Sequence, residues 1–183
     1  MNESDQNQTL WMVVGIIGLT AIVFLPIIFW DYINPAPKKT NREVAMTCTT
    51  DMATEFHIHP NLQIIINGQP QEIPVDIGIV DGCMNALHTH DNTGKMHVES
   101  PEKRDFQLSD FFAVWNKAYT KDQVLDYKAD ATHVIRQTVN GKETQDFENT
   151  VLYDEDQIVI SYSDASKVGS AGLPVSEEIK PAR

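Results

Sequence analysis

An uncharged and largely apolar run near the start of the chain constrains its architecture more than any other feature. The run extends from Leu10 to Trp30, and a helix needs about 20 such residues to cross a hydrocarbon layer of about 30 Å. Trp11 and Trp30 stand at its two ends, where indole rings prefer the headgroup region. The preceding tail carries Glu3 and Asp5 but no Lys or Arg, which is unlike a secretory signal. The run therefore predicts a retained transmembrane helix, with the lipid bilayer as its partner.

Two arguments about membrane orientation point in opposite directions. Lys38, Lys39 and Arg42 follow the run, and the positive-inside tendency would place the rest of the chain in the cytoplasm. A long domain is nevertheless translocated whatever its charge, and the histidine pattern described below suits the outside. We expect a single-pass membrane protein with an extracytoplasmic soluble domain, and other membrane proteins as further partners.

The charge balance excludes one large class of function. The chain of 183 residues carries 14 Lys plus Arg against 26 Asp plus Glu, which gives a formal net charge of −12. Such a chain offers no basic surface for a phosphate backbone, so we expect no nucleic-acid partner. Two cysteines are also too few for a disulfide framework or a zinc ribbon.

Short strands separated by turns predict an α+β domain after the apolar run. Alternation from Phe56 to Asn67 predicts one strand if it continues through Pro60, and Asn67-Gly68 predicts a hairpin turn. Ser109 is a candidate N-cap for one main helix that crosses a mixed sheet. The predicted segments are a polar N-terminal tail (1–9), a transmembrane anchor (10–30), a linker (31–45), an α+β metal-binding domain (46–163) and a flexible C-terminal tail (164–183).

Histidines are concentrated in one part of the predicted domain. Of the six histidines, all but His133 belong to two His-x-His pairs and one following residue, namely His57 and His59, His88 and His90, and His97. Residues i and i+2 of a strand project from the same face, so paired imidazoles can converge on one ion. Imidazole suits copper, zinc, iron and nickel. The pattern predicts a transition-metal site, with copper favoured and zinc or iron as alternatives, whereas His133 is expected to be structural or exposed.

Four neighbouring residues can add ligands to this site or support the histidines. Asp91 and Glu99 offer carboxylate oxygens, and Met84 and Met96 offer softer thioether sulfur atoms. Asp91 is followed by Asn92 and, two residues later, by Gly94, and an aspartate in such a stretch is more often a turn former than a ligand.

The two cysteines allow two interpretations. In an oxidising compartment Cys48 and Cys83 would form one disulfide that ties the start of the domain to the loop before the second His-x-His pair. In a reducing compartment both would be free thiols, and Cys83 could join the metal ligands. The choice depends on the orientation, and the extracytoplasmic prediction favours the disulfide.

Two stretches of the chain resemble known families. FHIHPNLQIIINGQPQEIPVDIGI, followed by CMNALHTHDNTGKMHVESPEKRDFQLSDFFAVW, resembles a family of small membrane-anchored or exported prokaryotic proteins without an established activity. This resemblance implies a shared site and an extracytoplasmic setting. The matching residues are His57, His59, Cys83, His88, His90, Asp91, Gly94, His97 and Glu99. The later stretch VNGKETQDFENTVLYDEDQIVISYS is similar to the end of β-grasp domains such as the small sulfur-carrier proteins. That similarity implies a β-grasp-like sheet, but the carriers' C-terminal Gly-Gly is absent from this sequence, so their activity is not implied.

Three functions fit these patterns. The first is a membrane-anchored metal-binding protein that buffers, senses or transfers an ion through its clustered histidines. The second is a metal-dependent enzyme, although the chain has no cupin spacing, no Gly-x-Ser-x-Gly elbow, no phosphate-binding glycine loop and no His-Glu-x-x-His helix. The third is an accessory single-span subunit of a larger membrane complex. We expect the first.

Overall fold

The computed structural model describes residues 3–34, 37–50 and 54–167 of the chain. The chain divides into two compact units, Met1–Lys38 and Lys39–Arg183. The first unit contains helix α1, Glu3–Ile33. The predicted C-terminal tail lies outside the described residues from position 168 onward.

The predicted transmembrane anchor is wrong. Helix α1 includes the run from Leu10 to Trp30, yet within the described ranges no helix combines the length and the apolar character that crossing a membrane requires. The predicted single-pass membrane localisation is wrong for the same reason. The predicted orientation depended on that anchor and loses its basis with it.

The second unit consists mainly of short strands. Its described part contains helices α2 (Asn41–Ala45) and α3 (Leu108–Val114), and two 3-10 turns, Phe147–Asn149 and Ala165–Lys167. The strands are β1 (Cys48–Thr49), β2 (Phe56–Ile58), β3 (Asn61–Ile66), β4 (Gln69–Gln71), β5 (Ile79–Val80), β6 (Cys83–Asn85), β7 (Leu87–His88), β8 (His97–Ser100), β9 (Tyr119–Thr120), β10 (Gln123–Val124), β11 (Tyr127–Lys128), β12 (His133–Val139), β13 (Lys142–Thr144) and β14 (Gln157–Asp164).

The strands form one larger mixed sheet and several small ones. The five-stranded sheet has the order β13-β12-β14-β3-β4, with β14 parallel to β3 and the other neighbours antiparallel. The described residues also form three antiparallel sheets of three strands, β1-β6-β5, β2-β8-β7 and β11-β10-β9. The predicted fold class, a transmembrane helix followed by a single β-grasp-like mixed sheet with one main helix, is therefore wrong. The strands are too short and too often interrupted by turns to join one sheet.

One of these interruptions lies at Pro60, where the predicted continuous strand divides in two. Strand β2 ends at Ile58 and pairs with β8, whereas β3 begins at Asn61 and pairs with β14. Proline has no backbone N–H to donate to a strand neighbour, which explains a break at this position. The predicted Asn67-Gly68 hairpin is confirmed, because it joins β3 to β4 with φ of 52° and 82° at its two residues.

The main predicted helix exists, but it begins earlier than Ser109. Helix α3 has Gln107 as its N-cap, and the backbone N–H of Gln107 donates to Asp110 Oδ2 at 3.0 Å. This carboxylate satisfies a backbone donor in the first turn and complements the helix dipole. The helix ends at Val114, and its buried Phe111 packs into the core.

The core contains large side chains from several of the sheets and from α3. Fully burying a side chain of this size contributes about 1.5 to 3 kcal/mol, so the small sheets are held largely by this shared core. The largest buried members include Phe106, Phe111, Phe112, Leu62, Ile64, Leu87, Met96, Ile158 and Ile160.

The predicted disulfide is confirmed. Cys48 of β1 and Cys83 of β6 are bonded, with their Cα atoms 5.6 Å apart. Closing a loop between residues 35 positions apart stabilises a fold by about 3.5 to 4 kcal/mol. Such a bond is typical of an oxidising environment.

Gly94 fixes the loop between the second His-x-His pair and His97 onto β3. The N–H of Leu62 donates to the Gly94 carbonyl oxygen at 2.8 Å. Gly94 has φ of +85°, and a Cβ atom there would overlap the carbonyl oxygen of Leu62. The glycine therefore permits a close approach between two backbone segments.

We expect Gly94→Ala to lower the free energy of unfolding by about 2 to 4 kcal/mol, because it combines a left-handed backbone with an overlap that the strand backbone cannot relieve. Gly68→Ala is the matched control. Gly68 has φ of +82° but no atom within 4 Å of an added Cβ, so we expect it to cost about 1 kcal/mol. Urea unfolding of both variants measures the difference, and equal losses would contradict the close-approach explanation.

Candidate metal centre

The register of the sheet β2-β8-β7 places histidines from three strands on one face. His57 lies opposite Glu99, and His88 lies opposite His97. Residues directly opposite each other in an antiparallel pair share a face and have Cβ atoms about 4.5 to 5.5 Å apart. The alternate residues of the strands face the other way, where Val98 is fully buried in the core. The three strands thus present one apolar face and one histidine face.

The second histidine of each pair lies just beyond its strand. His59 is held by its backbone N–H, which donates to Asp154 Oδ1 at 2.8 Å. His90 follows the buried Thr89, whose hydroxyl donates to the Pro74 carbonyl oxygen at 2.9 Å. The Thr89 side chain thereby anchors the segment to the protein interior, and the imidazoles on either side of it point toward each other.

These contacts bring together all five histidines that the sequence predicts as ligands. Their nitrogen atoms form two groups, and within each group the candidate ligand atoms all lie within 4.8 Å of one another. We call His57, His59 and His97 the outer triad, and His88, His90 and His97 the inner triad. The ring centroids are 4.3 Å apart for His57 and His59, 4.7 Å for His59 and His97, 4.7 Å for His88 and His90, and 4.7 Å for His90 and His97.

The tautomer of His88 follows from its hydrogen bond. His88 Nδ1 lies 3.0 Å from the backbone carbonyl oxygen of Asn85. A carbonyl oxygen only accepts, so Nδ1 of His88 must carry the proton, and the neutral ring has its lone pair on Nε2. That Nε2 lies 3.1 Å from Nε2 of His90. A backbone carbonyl that fixes one ring nitrogen and leaves the other free is the arrangement that orients metal-binding histidines.

Glu99 adds a carboxylate beside the outer triad. Its Oε1 lies 3.0 Å from His57 Nε2 and 3.8 Å from His97 Nδ1. These two ring nitrogens are 3.4 Å apart. Glu99 can therefore orient the two rings or supply an oxygen ligand to an ion between them.

Burial keeps the two most enclosed rings neutral at physiological pH. Burial first, and then the nearby His88, His90 and His59, lower the pKa of His97 from 6.5 to about 4, while Glu99 opposes them. Burial also lowers the pKa of His88, against the opposing effect of its hydrogen bond to Asn85. A neutral imidazole has a free lone pair, which is the form that binds a metal.

The other predicted site residues lie outside the two triads. Asp91 Oδ1 accepts from the backbone N–H of Thr93 at 2.9 Å and from its hydroxyl at 2.5 Å, which is a turn-forming arrangement. Met96 is fully buried in the core, and Met84 belongs to β6 and pairs with β1 and β5. His133 stacks on Tyr162, with ring centroids 5.1 Å apart.

Two residues that support the histidines were not predicted. Asn85 acts through its backbone carbonyl, which every residue type possesses, so the residue type at position 85 does not predict this role. Asp154 is 95 positions from His59 along the chain, and its pairing depends on the fold. Cys83, considered as a free-thiol ligand, is unavailable to a metal because it is in the disulfide.

No family model, curated protein or solved structure matches this chain. The functional interpretation therefore depends on the geometry of the histidines.

The low pKa of His97 makes stability depend on pH. The unfolded chain takes up a proton at His97 near pH 6.5, whereas the folded protein does so only near 4. The contribution of His97 to the free energy of unfolding is therefore constant above about pH 6.5 and falls as the pH decreases from there toward 4. We expect the wild-type protein in EDTA to lose about 1 kcal/mol more between pH 7 and pH 5 than His97→Gln does. Urea unfolding at both pH values measures this, and an equal loss in the two proteins would contradict it.

Proposed function

We propose that this chain binds a transition-metal ion at its histidine face and that it buffers, senses or transfers the ion. The observation that carries the proposal is the convergence of five imidazoles, which lie far apart in the sequence, into two triads that share His97. On a strand face that only contacts solvent, clustering five imidazoles gives no gain in stability, because the rings repel one another when protonated. Binding a metal cation would explain the clustering.

The spacing of the ring nitrogens supports the same proposal. Two ligands on a tetrahedral ion with metal–nitrogen bonds of about 2.0 to 2.1 Å lie about 3.3 to 3.4 Å from each other. The observed separations are 3.1 Å between His88 Nε2 and His90 Nε2, and 3.4 Å between His57 Nε2 and His97 Nδ1. In each triad two ring nitrogens are therefore already at coordination distance from each other, and the candidate atom of the third ring lies within 4.8 Å of them.

The chemistry of the ligands favours copper(II). The triads supply nitrogen, with Glu99 as a neighbouring oxygen, whereas Cys83 and Met96 are held in the disulfide and the core. For such donors the affinity of divalent ions is highest for Cu²⁺. The disulfide is typical of an oxidising environment, where the oxidised copper ion is the more stable form. Zinc and iron are the alternatives.

Metal retention by the full chain, prepared without an affinity His tag, tests the proposal. We expect wild-type protein treated with EDTA and then exposed to Cu²⁺ to retain the ion after desalting, as measured by elemental analysis. The double variant His57→Asn/His88→Asn removes one imidazole from each triad. Loss of a residue that only orients a ligand weakens metal binding by about 10- to 100-fold, so loss of the ligands themselves should weaken it by more than about 100-fold. Asparagine at 88 can still donate to the Asn85 carbonyl, so the local fold should be preserved.

His133→Asn is the matched control. His133 is a histidine outside both triads, so its removal should leave retention unchanged. Circular dichroism of each variant verifies folding. Equal retention in the double variant, or none in the wild type with Cu²⁺, Zn²⁺ or Fe²⁺, would contradict the proposal.

A second candidate function, a metal-dependent enzyme, is favoured by one observation. A surface cavity of about 400 Å³ is lined by Glu99, the carboxylate beside His57, together with Ala86, Ser100, Pro101 and Arg104. A small molecule in this cavity would contact Glu99, whose carboxylate lies 3.0 Å from His57 Nε2. Three histidine ligands also leave a coordination position open, as catalytic metal sites require.

Azide binding distinguishes the enzyme from a closed storage site. If the site has an open position, azide should change the visible spectrum of the Co²⁺-loaded protein, because it enters the coordination sphere as a fourth or fifth ligand. The same titration with the His57→Asn/His88→Asn variant is the control for Co²⁺ that binds elsewhere on the protein. An unchanged spectrum of the loaded wild type would exclude an accessible open position.

A further inference from the structure

His97 belongs to both triads, and this sharing limits how the site can be filled. The two triads are distinct groups that have only His97 in common, and in each the candidate ligand atoms lie within 4.8 Å of one another. A neutral imidazole carries a proton on one nitrogen and a lone pair on the other. Neutral His97 can therefore bind one ion at a time. The two triads cannot both hold an ion with their full set of neutral ligands.

The inner triad is the better prepared of the two. His88 is fully buried, and its Nδ1–H is committed to the Asn85 carbonyl oxygen at 3.0 Å. Its Nε2 is therefore fixed in position, only 3.1 Å from the Nε2 atom of His90. Little conformational entropy is lost when such ligands bind an ion, which favours tight binding.

The outer triad has two accessible histidines and acidic neighbours, whereas the inner triad has one exposed histidine, His90. The side chains of His57 and His59 are 41% and 35% exposed. Glu99 Oε1 lies 3.0 Å from His57 Nε2, and Asp154 Oδ1 lies 3.8 Å from His59 Nδ1. Carboxylates raise the local concentration of cations and speed their association.

We propose, on the basis of the metal-binding function above, that the two triads are successive positions for a single ion. The outer triad receives the ion from solution, and the inner triad holds it. His97 remains a ligand in both positions, so the ion passes between them without leaving the protein. In this transfer the metal–nitrogen bonds to His57 and His59 break and bonds to His88 and His90 form. The same nitrogen of His97 stays bound throughout, so no proton moves on that ring, and the oxidation state of the ion does not change.

Cu²⁺ binding to the full chain and two matched double variants tests the proposal. The outer variant is His57→Asn/His59→Asn, the inner variant is His88→Asn/His90→Asn, and His133→Asn is the control. Native mass spectrometry gives the number of ions, competition with a chelator gives the affinity, and stopped-flow quenching of tryptophan fluorescence gives the association rate. Because His88 is fully buried, the exposed His90→Asn alone serves as a second inner variant that leaves the core intact.

We expect the wild type to bind one Cu²⁺. The outer variant should keep its affinity within threefold but bind at least tenfold more slowly, because the ion can then reach the inner triad only through the exposed His90. The inner variant and His90→Asn should bind one ion with an affinity lower by at least tenfold and an association rate close to that of the wild type.

Each other result has a distinct meaning. Two ions bound to the wild type, an unchanged association rate in the outer variant, or an unchanged affinity in the inner variants would overturn the two-position proposal while metal binding itself stands. No ion bound to the wild type would overturn the proposed function and this inference together.

Discussion

The pairing of β8 with strands on both of its sides is the constraint on which the histidine face depends. The strand contributes only four residues, His97–Ser100, yet it pairs antiparallel with β2 and with β7. Because side chains alternate along a strand, one register fixes His97 and Glu99 on one face and Val98 on the other. A shift by one residue would bury the charged and imidazole groups and expose the apolar ones. The core at Val98 therefore fixes the register of the histidine face.

The disulfide supports the inner triad through a short chain of contacts. It joins β1 to β6, and Cys48 pairs in register with Asn85. The side chain of Asn85 donates to the Ala45 carbonyl oxygen at 2.9 Å, and its own carbonyl accepts from His88. A covalent bond thus restrains the backbone that orients a ring nitrogen. Such rigid support is what a preformed site requires, since a misplaced ligand loses most of its contribution.

The sequence permits the candidate ligands to be named, but not their arrangement. The His-x-His spacing, the Asn67-Gly68 turn and the two cysteines are local signals, and each has a counterpart in the structure. The division of the strand at Pro60 into two sheets depends on which partner each half meets, and the sequence near residue 60 does not contain that partner. The prediction from the apolar run Leu10 to Trp30 is wrong for another reason. The run was judged by its lack of charged residues alone. A membrane span also requires that a whole helix be long enough and apolar enough, and no helix of the described residues meets both requirements.

The sharing of His97 gives the arrangement a chemical consequence that neither pair has alone. One His-x-His pair supplies two nitrogens, which is fewer than the three protein ligands of an open zinc or copper centre. A ring between the pairs would complete either of them, so in the proposed site one residue would turn two incomplete sets of ligands into two alternative ones. The low pKa of His97, about 4, has the same origin, because the burial and the surrounding imidazoles that disfavour its proton also leave its lone pair free. The environment that disfavours a proton on His97 therefore also leaves a nitrogen lone pair free to bind a metal cation.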